Sequence, residues 1–163
     1  MTSETMNDTT LQVLDAVGDA HIALVDAVHG YDVMIEKAEP EIKSVLEMTR
    51  ETSDRQAEEL AQFLIAQGRH PSEDGSFMST VHEGVVRTRA FFTDIDGDVL
   101  PAVIDGERRI VSSYDDALER LAENMESIPR SLFDAAHAVL MKHRSEIEDV
   151  VRRLGARHHA LED

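Results

Sequence analysis

Seven residues near the N-terminus, Leu14, Val17, His21, Leu24, Val28, Tyr31 and Ile35, recur at alternating steps of three and four. That period puts them on one narrow face of a long α-helix, the seam of a helix packed in a bundle. The helix is expected to end at Glu39-Pro40, because the residue before a proline is driven out of the helical region. The same pattern recurs three times. A second helix from about Glu41 to Gln67 carries Ile42, Val45, Leu46, Thr49, Gln56, Leu60, Phe63 and Leu64, with Gly68 as its stop. A third from about Val99 to Asn124 carries Leu100, Val103, Ile104, Glu107, Val111, Tyr114, Leu118 and Leu121. A fourth from about Pro129 to Gly155 carries Leu132, Ala136, Val139, His143, Ile147, Val150 and Leu154. Only four prolines and eight glycines punctuate the 163 residues, too few for a many-stranded β fold.

The fold expected is therefore all-α, an antiparallel four-helix bundle formed as hairpin, crossover, hairpin. Arg69 to Ser76 reads as loop, and a shorter helix from about Ser79 to Thr93 lies inside the crossover between helices 2 and 3. Residues 1–9 are expected to be a disordered tail, 10–155 the bundle and 156–163 a mobile tail. With aromatics at 4% and no tryptophan, the core must be aliphatic.

Composition removes several functions. There is no cysteine, so disulfides, thiolate metal sites and cysteine nucleophiles are excluded. A formal charge of -17 repels phosphate backbones and anionic lipid, so neither nucleic acid nor membrane is an expected partner. No apolar run approaches the roughly 20 residues of a membrane span. The polar, acidic start shows no signal peptide, and a cytoplasmic location is expected. Glycine-rich phosphate loops, the Gly-x-Ser-x-Gly elbow and the His-Glu-x-x-His zinc helix are all missing from the sequence.

The informative residues are polar ones inside the seams. Glu107 lies at the centre of the apolar arc of helix 3 and His143 at the centre of that of helix 4, while His21 interrupts helix 1 and Thr49, Ser53 and Gln56 interrupt helix 2. Counting from a turn near residue 126, Glu107 is 19 residues before it and His143 is 17 after it, so the two should share a layer. His21 and Gln56 match similarly about a turn near residue 39. A buried carboxylate must be paired, bind metal or keep its proton. The plain reading is a Glu107–His143 pair, with Tyr114 and Gln56 in a structural polar cluster that sets helix register. The sharper one is a metal or proton-transfer site. Other candidates are weaker: Asp94-Ile-Asp-Gly-Asp98 has its glycine in the wrong place for an EF-hand and reads as a turn capping helix 3. Glu51 with Asp54, and Asp134 with His137, have ligand spacing but fall on the polar side. His29, His82 and His137 lie off the seams, and His158-His159 is at most a weak cation-binding element.

In the order and spacing of Gly30-Tyr31, Glu58-Glu59-Leu60, Gly68, Pro71, Gly75-Ser76, His82, Gly106-Glu107 and Tyr114-Asp-Asp-Ala-Leu118, the chain resembles a bacterial family of ferritin-like four-helix bundles of unassigned function. The resemblance implies distant kinship with ferritin- and rubrerythrin-type di-iron bundles, which use a Glu from each of two helices and Glu-x-x-His from the other two. Helix 3 matches with Glu107 and the tyrosine two turns on, Tyr114. Helix 1 keeps the equivalent tyrosine, Tyr31, but has Leu24 for the carboxylate. Helix 2 offers Ser53 and Gln56, or Thr49 and Thr52, and helix 4 keeps His143 but has Leu140 three residues earlier. The bridging carboxylates of di-iron chemistry are thus missing.

The leading expectation is a non-enzymatic, homodimeric bundle without cofactor, a structural, interaction or stress-associated protein. The alternative is a mononuclear Fe, Zn or Mn site built from Glu107, His143 and His21, in a metal-binding protein or an unusual oxidase. A third is a helical sensor of pH, suggested by buried histidines near a carboxylate.

Overall fold

The computed structural model describes residues 2–71 and 94–163. It holds four long helices: α1 (Thr2–Lys37), α2 (Pro40–Ala66), α3 (Leu100–Glu123) and α4 (Arg130–Glu162), with a 3-10 turn at Gly97–Val99 leading into α3. The boundaries have local causes. Glu39 is extended, so Pro40 can occupy the first turn of α2, where its missing N–H costs nothing. Gly68 adopts φ 78°, and the Arg69 amide turns back onto the Leu64 carbonyl at 2.9 Å to close α2. Asp96 caps the 3-10 turn by accepting a hydrogen bond from the Asp98 amide at 2.9 Å, so the Asp94–Asp98 stretch is a cap, as expected. The expected helix at 79–93 and His82 lie outside the described residues.

Packing sets the direction of each helix. One apolar cluster joins Tyr31 of α1, Ile42 and Leu46 at the start of α2, Leu100 and Val103 at the start of α3, and Val150 and Leu154 late in α4. The other joins Val13, Leu14 and Val17 with Leu60 and Leu64 late in α2, Ala117 and Leu121 late in α3, and Leu132 and Ala136 early in α4. Hence α1 lies antiparallel to α2 and to α3, α4 lies antiparallel to α3 and to α2, and the diagonal pair α2 and α3 runs parallel. A parallel diagonal requires the connection after α2 to return the length of the bundle. Where the chain re-enters, Ile95 is clamped to the α1–α2 turn, its amide on the Lys37 carbonyl at 3.0 Å and its carbonyl under the Glu39 amide at 2.8 Å.

Two helix ends differ from the sequence reading. α1 is helical from Thr2, through the residues read as a tail. α4 passes through Gly155 to Glu162, where the sequence pattern places a stop. A glycine inside a helix costs only about 1 kcal/mol relative to alanine, and tertiary contacts outweigh it here. Leu161 packs into the apolar cluster around Tyr31, Ile42 and Leu46, and the Arg157 Nε donates to the Glu41 carbonyl at 2.8 Å. Gly97 makes room for this turn, since a Cβ there would stand 2.8 Å from Leu161 Cδ1. Gly97→Val should therefore speed amide hydrogen exchange over 156–162 and leave 136–150 protected. Unchanged exchange in the last two turns would contradict the contact.

Candidate functional site

The seams supply a belt of buried polar side chains: His21, Thr49, Ser53, Gln56, Glu107 and His143, each no more than 4% exposed. Thr49, Ser53, Gln56 and Glu107 fall between the two apolar clusters along their helices, while His21 and His143 are flanked on both sides by residues of the cluster around Leu60. Tyr31 enters it from the cluster around Ile42 and Leu46, and Tyr114 from the cluster around Leu60 and Leu64. The residue of α3 that meets His143 is Tyr114, seven positions on from Glu107, so the shared Glu107–His143 layer expected from counting is not the one the hydrogen bonds form.

Within the belt, the expected Glu107–His143 pair is replaced by two separate partnerships, each through a tyrosine. Tyr31 Oη, from α1, donates to Glu107 Oε1 on α3. Burial pushes the Glu107 carboxyl up to about 7, with the Tyr31 hydrogen bond opposing. Burial and the adjacent carboxylate push the Tyr31 phenol up in turn. Glu107 is therefore a largely protonated acid below neutrality, held without a counter-charge.

His143 belongs to the other group. Its Nδ1 is 2.7 Å from Tyr114 Oη, and its Nε2 is 2.6 Å from Glu59 Oε2 on α2. Burial lowers the His143 pKa, partly offset by Glu59, so the ring is neutral at neutral pH. Burial acts to raise Glu59, but hydrogen bonds from His143 and Arg55 and the Lys142 charge outweigh it and leave the carboxyl at about 2. An ionised carboxylate can only accept, so the imidazole proton sits on Nε2 and Nδ1 accepts from the Tyr114 hydroxyl. Tyr114 also meets the ring edge-on, with centroids 5.7 Å apart.

From Glu59 the network reaches the surface along the α2–α4 seam. Arg55 Nη1 donates to Glu59 Oε1 at 2.9 Å and its Nη2 to Glu146 Oε2. Lys142 Nζ lies 3.4 Å from Glu59 and 3.8 Å from Glu146. Gln56 Nε2 ties the layers together, donating to the His143 carbonyl at 3.3 Å and to Glu146 at 3.2 Å.

The sequence reading thus finds His21, Gln56, Glu107, Tyr114 and His143 in the interior, and misses Glu59 and Glu146. Both flank the seam rather than occupy it. The available signal was spacing: Glu59 stands three residues after Gln56, and Glu146 three after His143, so each shares a helix face with a buried polar residue. Glu51, Asp54, Asp134 and His137 are exposed, as expected.

A family model described as a domain of unknown function (DUF2383) matches residues 12–120. The chain belongs to this family. The DUF2383 match contains His21, Tyr31, Gln56, Glu59, Glu107 and Tyr114, and ends before α4 supplies His143. No curated protein matches the chain, and neither does any solved structure. Among the described residues, no group of three or more His, Asp or Glu side chains is arranged to hold a metal ion. No helix among them is long and apolar enough to cross a membrane.

Proposed function

We propose that this DUF2383 chain is a non-enzymatic helical bundle, a structural, interaction or stress-associated protein of the cytoplasm, in which the polar belt fixes helix register. One observation carries the reading: each residue expected to ligate metal from α3 and α4 is already satisfied inside the chain. Tyr31 holds Glu107, and Tyr114 and Glu59 hold both nitrogens of His143. A one-residue slip of any helix would strand a buried polar group at a cost of roughly 1–3 kcal/mol each, so the belt favours a single arrangement. The parallel α2–α3 diagonal also supports descent from ferritin-like bundles, with Leu24 and Leu140 where carboxylates would stand.

The reading is tested by loading the protein with iron, zinc and manganese in turn and measuring bound metal by elemental analysis, beside a Glu107→Ala, His143→Ala double variant. Sub-stoichiometric metal in both, with the variant less stable, is expected. Near-stoichiometric metal in the parent that the variant loses would replace this reading by a mononuclear metal site at Glu107, His143 and His21. Homodimerisation is the state we expect, and sedimentation as a monomer at high concentration would count against it.

A further inference from the structure

We infer that Tyr114 is a proton-coupled one-electron redox site, with His143 as the proton acceptor and Glu59 as the exit to solvent. This goes beyond the structural reading, because a register-setting belt keeps its geometry whether or not Tyr114 is ever oxidised.

Removing an electron from a phenol leaves a cation, and an interior that cannot solvate charge makes that step costly unless the proton leaves with the electron. Tyr114 and His143 are both fully buried, yet the phenol hydroxyl points at a basic nitrogen 2.7 Å away. The far nitrogen of the same ring lies 2.6 Å from a carboxylate whose side chain is 32% exposed. A buried donor, a buried base and a surface carboxylate therefore form one continuous chain from the core to water.

An external one-electron oxidant, of the class of oxidising radicals or high-potential metal complexes, takes one electron from Tyr114. The phenolic O–H bond breaks, and its proton forms a bond to His143 Nδ1. The products are the reduced oxidant, a neutral tyrosyl radical and an imidazolium paired with the Glu59 carboxylate. Transfer of the Nε2 proton to Glu59, and from there to water, returns the imidazole to neutrality.

The chain contains its own control. It has two tyrosines and neither tryptophan nor cysteine, so few side chains can compete for the missing electron. Tyr31 is hydrogen-bonded to a base as well, but that base is Glu107, which is 1% exposed. Glu107 keeps its own proton below about pH 7 and cannot then accept another. At pH 6.5 the two tyrosines should therefore differ: Glu107 still holds its proton, whereas burial keeps the His143 pKa below its ordinary value of about 6.5 and leaves the ring able to accept one.

The test is flash oxidation at pH 6.5 by photogenerated tris(bipyridine)ruthenium(III), with a cobalt(III) pentaammine quencher and electron paramagnetic resonance detection. The parent and Tyr31→Phe, in which Tyr114 is the remaining tyrosine, should give the same tyrosyl signal, rising more slowly in D2O. Tyr114→Phe should lose it. His143→Gln keeps an acceptor but has no basic nitrogen, and should slow the rise roughly 100-fold, the lower end of general-base effects. Should His143→Gln not fold, Glu59→Gln at the partly exposed end of the chain carries the same test, with a slower rise expected. A signal that survives Tyr114→Phe, a signal on methionine, or a rise indifferent to D2O and to Glu59→Gln would overturn the inference.

Discussion

Glu107→Gln should stabilise the bundle by about 3 kcal/mol at pH 8 and remove most of the fall in stability between pH 5 and 7. The side chain is 1% exposed, and burial raises its carboxyl from the ordinary 4.5 to about 7. In the unfolded chain the proton leaves near 4.5, while the native protein keeps it to about 7. The native state thus binds more protons across that interval, so stability falls as pH rises through it and levels off above it. The interval from 4.5 to about 7 corresponds to roughly 3 kcal/mol, at about 1.36 kcal/mol per pH unit. Glutamine has the same length, keeps an acceptor for the Tyr31 hydroxyl and does not ionise. Urea denaturation at pH 5 and pH 8 checks this: the two proteins should converge at pH 5 and separate at pH 8. Equal midpoints at both pH values would mean that Glu107 is ionised in the fold and balanced by a charge absent from the geometry described above.

His143→Ala should be the most damaging substitution in the belt, costing about 3–5 kcal/mol and lowering Tm by roughly 10 °C. It empties a fully buried ring position and leaves the Tyr114 hydroxyl, itself 0% exposed, without its acceptor. Tyr114→Phe removes a single oxygen and leaves His143 still bonded to Glu59, so its cost should be nearer 1–2 kcal/mol. The double variant should cost less than the sum, since each change removes the same hydrogen bond. Strict additivity in thermal unfolding would show that the Tyr114–His143 contact contributes nothing to stability.

The two predictions separate the halves of the belt. Glu107 is stabilised by staying neutral, so its contribution depends on pH. His143 is also neutral, but it gains from hydrogen bonds at both ring nitrogens and depends on the ionised Glu59. Deleting Glu107's charge helps the fold, whereas deleting His143's ring harms it. That asymmetry is expected when one polar group lies beside a single hydroxyl and the other lies in a network open to water.

Much of this was legible in the chain. Helix 3 was placed to within a residue at each end, because Pro101 and the apolar steps from Leu100 to Leu121 define it locally. The stop at Gly68 was visible because only a residue tolerant of positive φ closes that turn easily. The stop at Gly155 was not real, because a helical glycine carries a small local cost and Leu161 and Arg157 act on it from outside the helix. The buried polar residues were legible from periodicity alone, since a seam position is buried whatever it carries.

Partner choice was not legible, and the reason is geometric. Periodicity gives a residue's face, so the sequence determined four amphipathic helices, an aliphatic core and buried polar positions at His21, Gln56, Glu107 and His143. It leaves open which neighbouring helix a side chain leans toward. That depends on the order of helices around the bundle, and only the tertiary structure set α2 and α3 on a diagonal. With that order, α1 lies beside α3 and gives Tyr31 to Glu107, while α2 lies beside α4 and gives Glu59 to His143. Glu107 and His143, which the sequence places in one possible cluster, belong in three dimensions to two separate pairings, with Tyr31 and with Tyr114 and Glu59, because hydrogen bonds act only over about 3 Å and the bundle is wider than that.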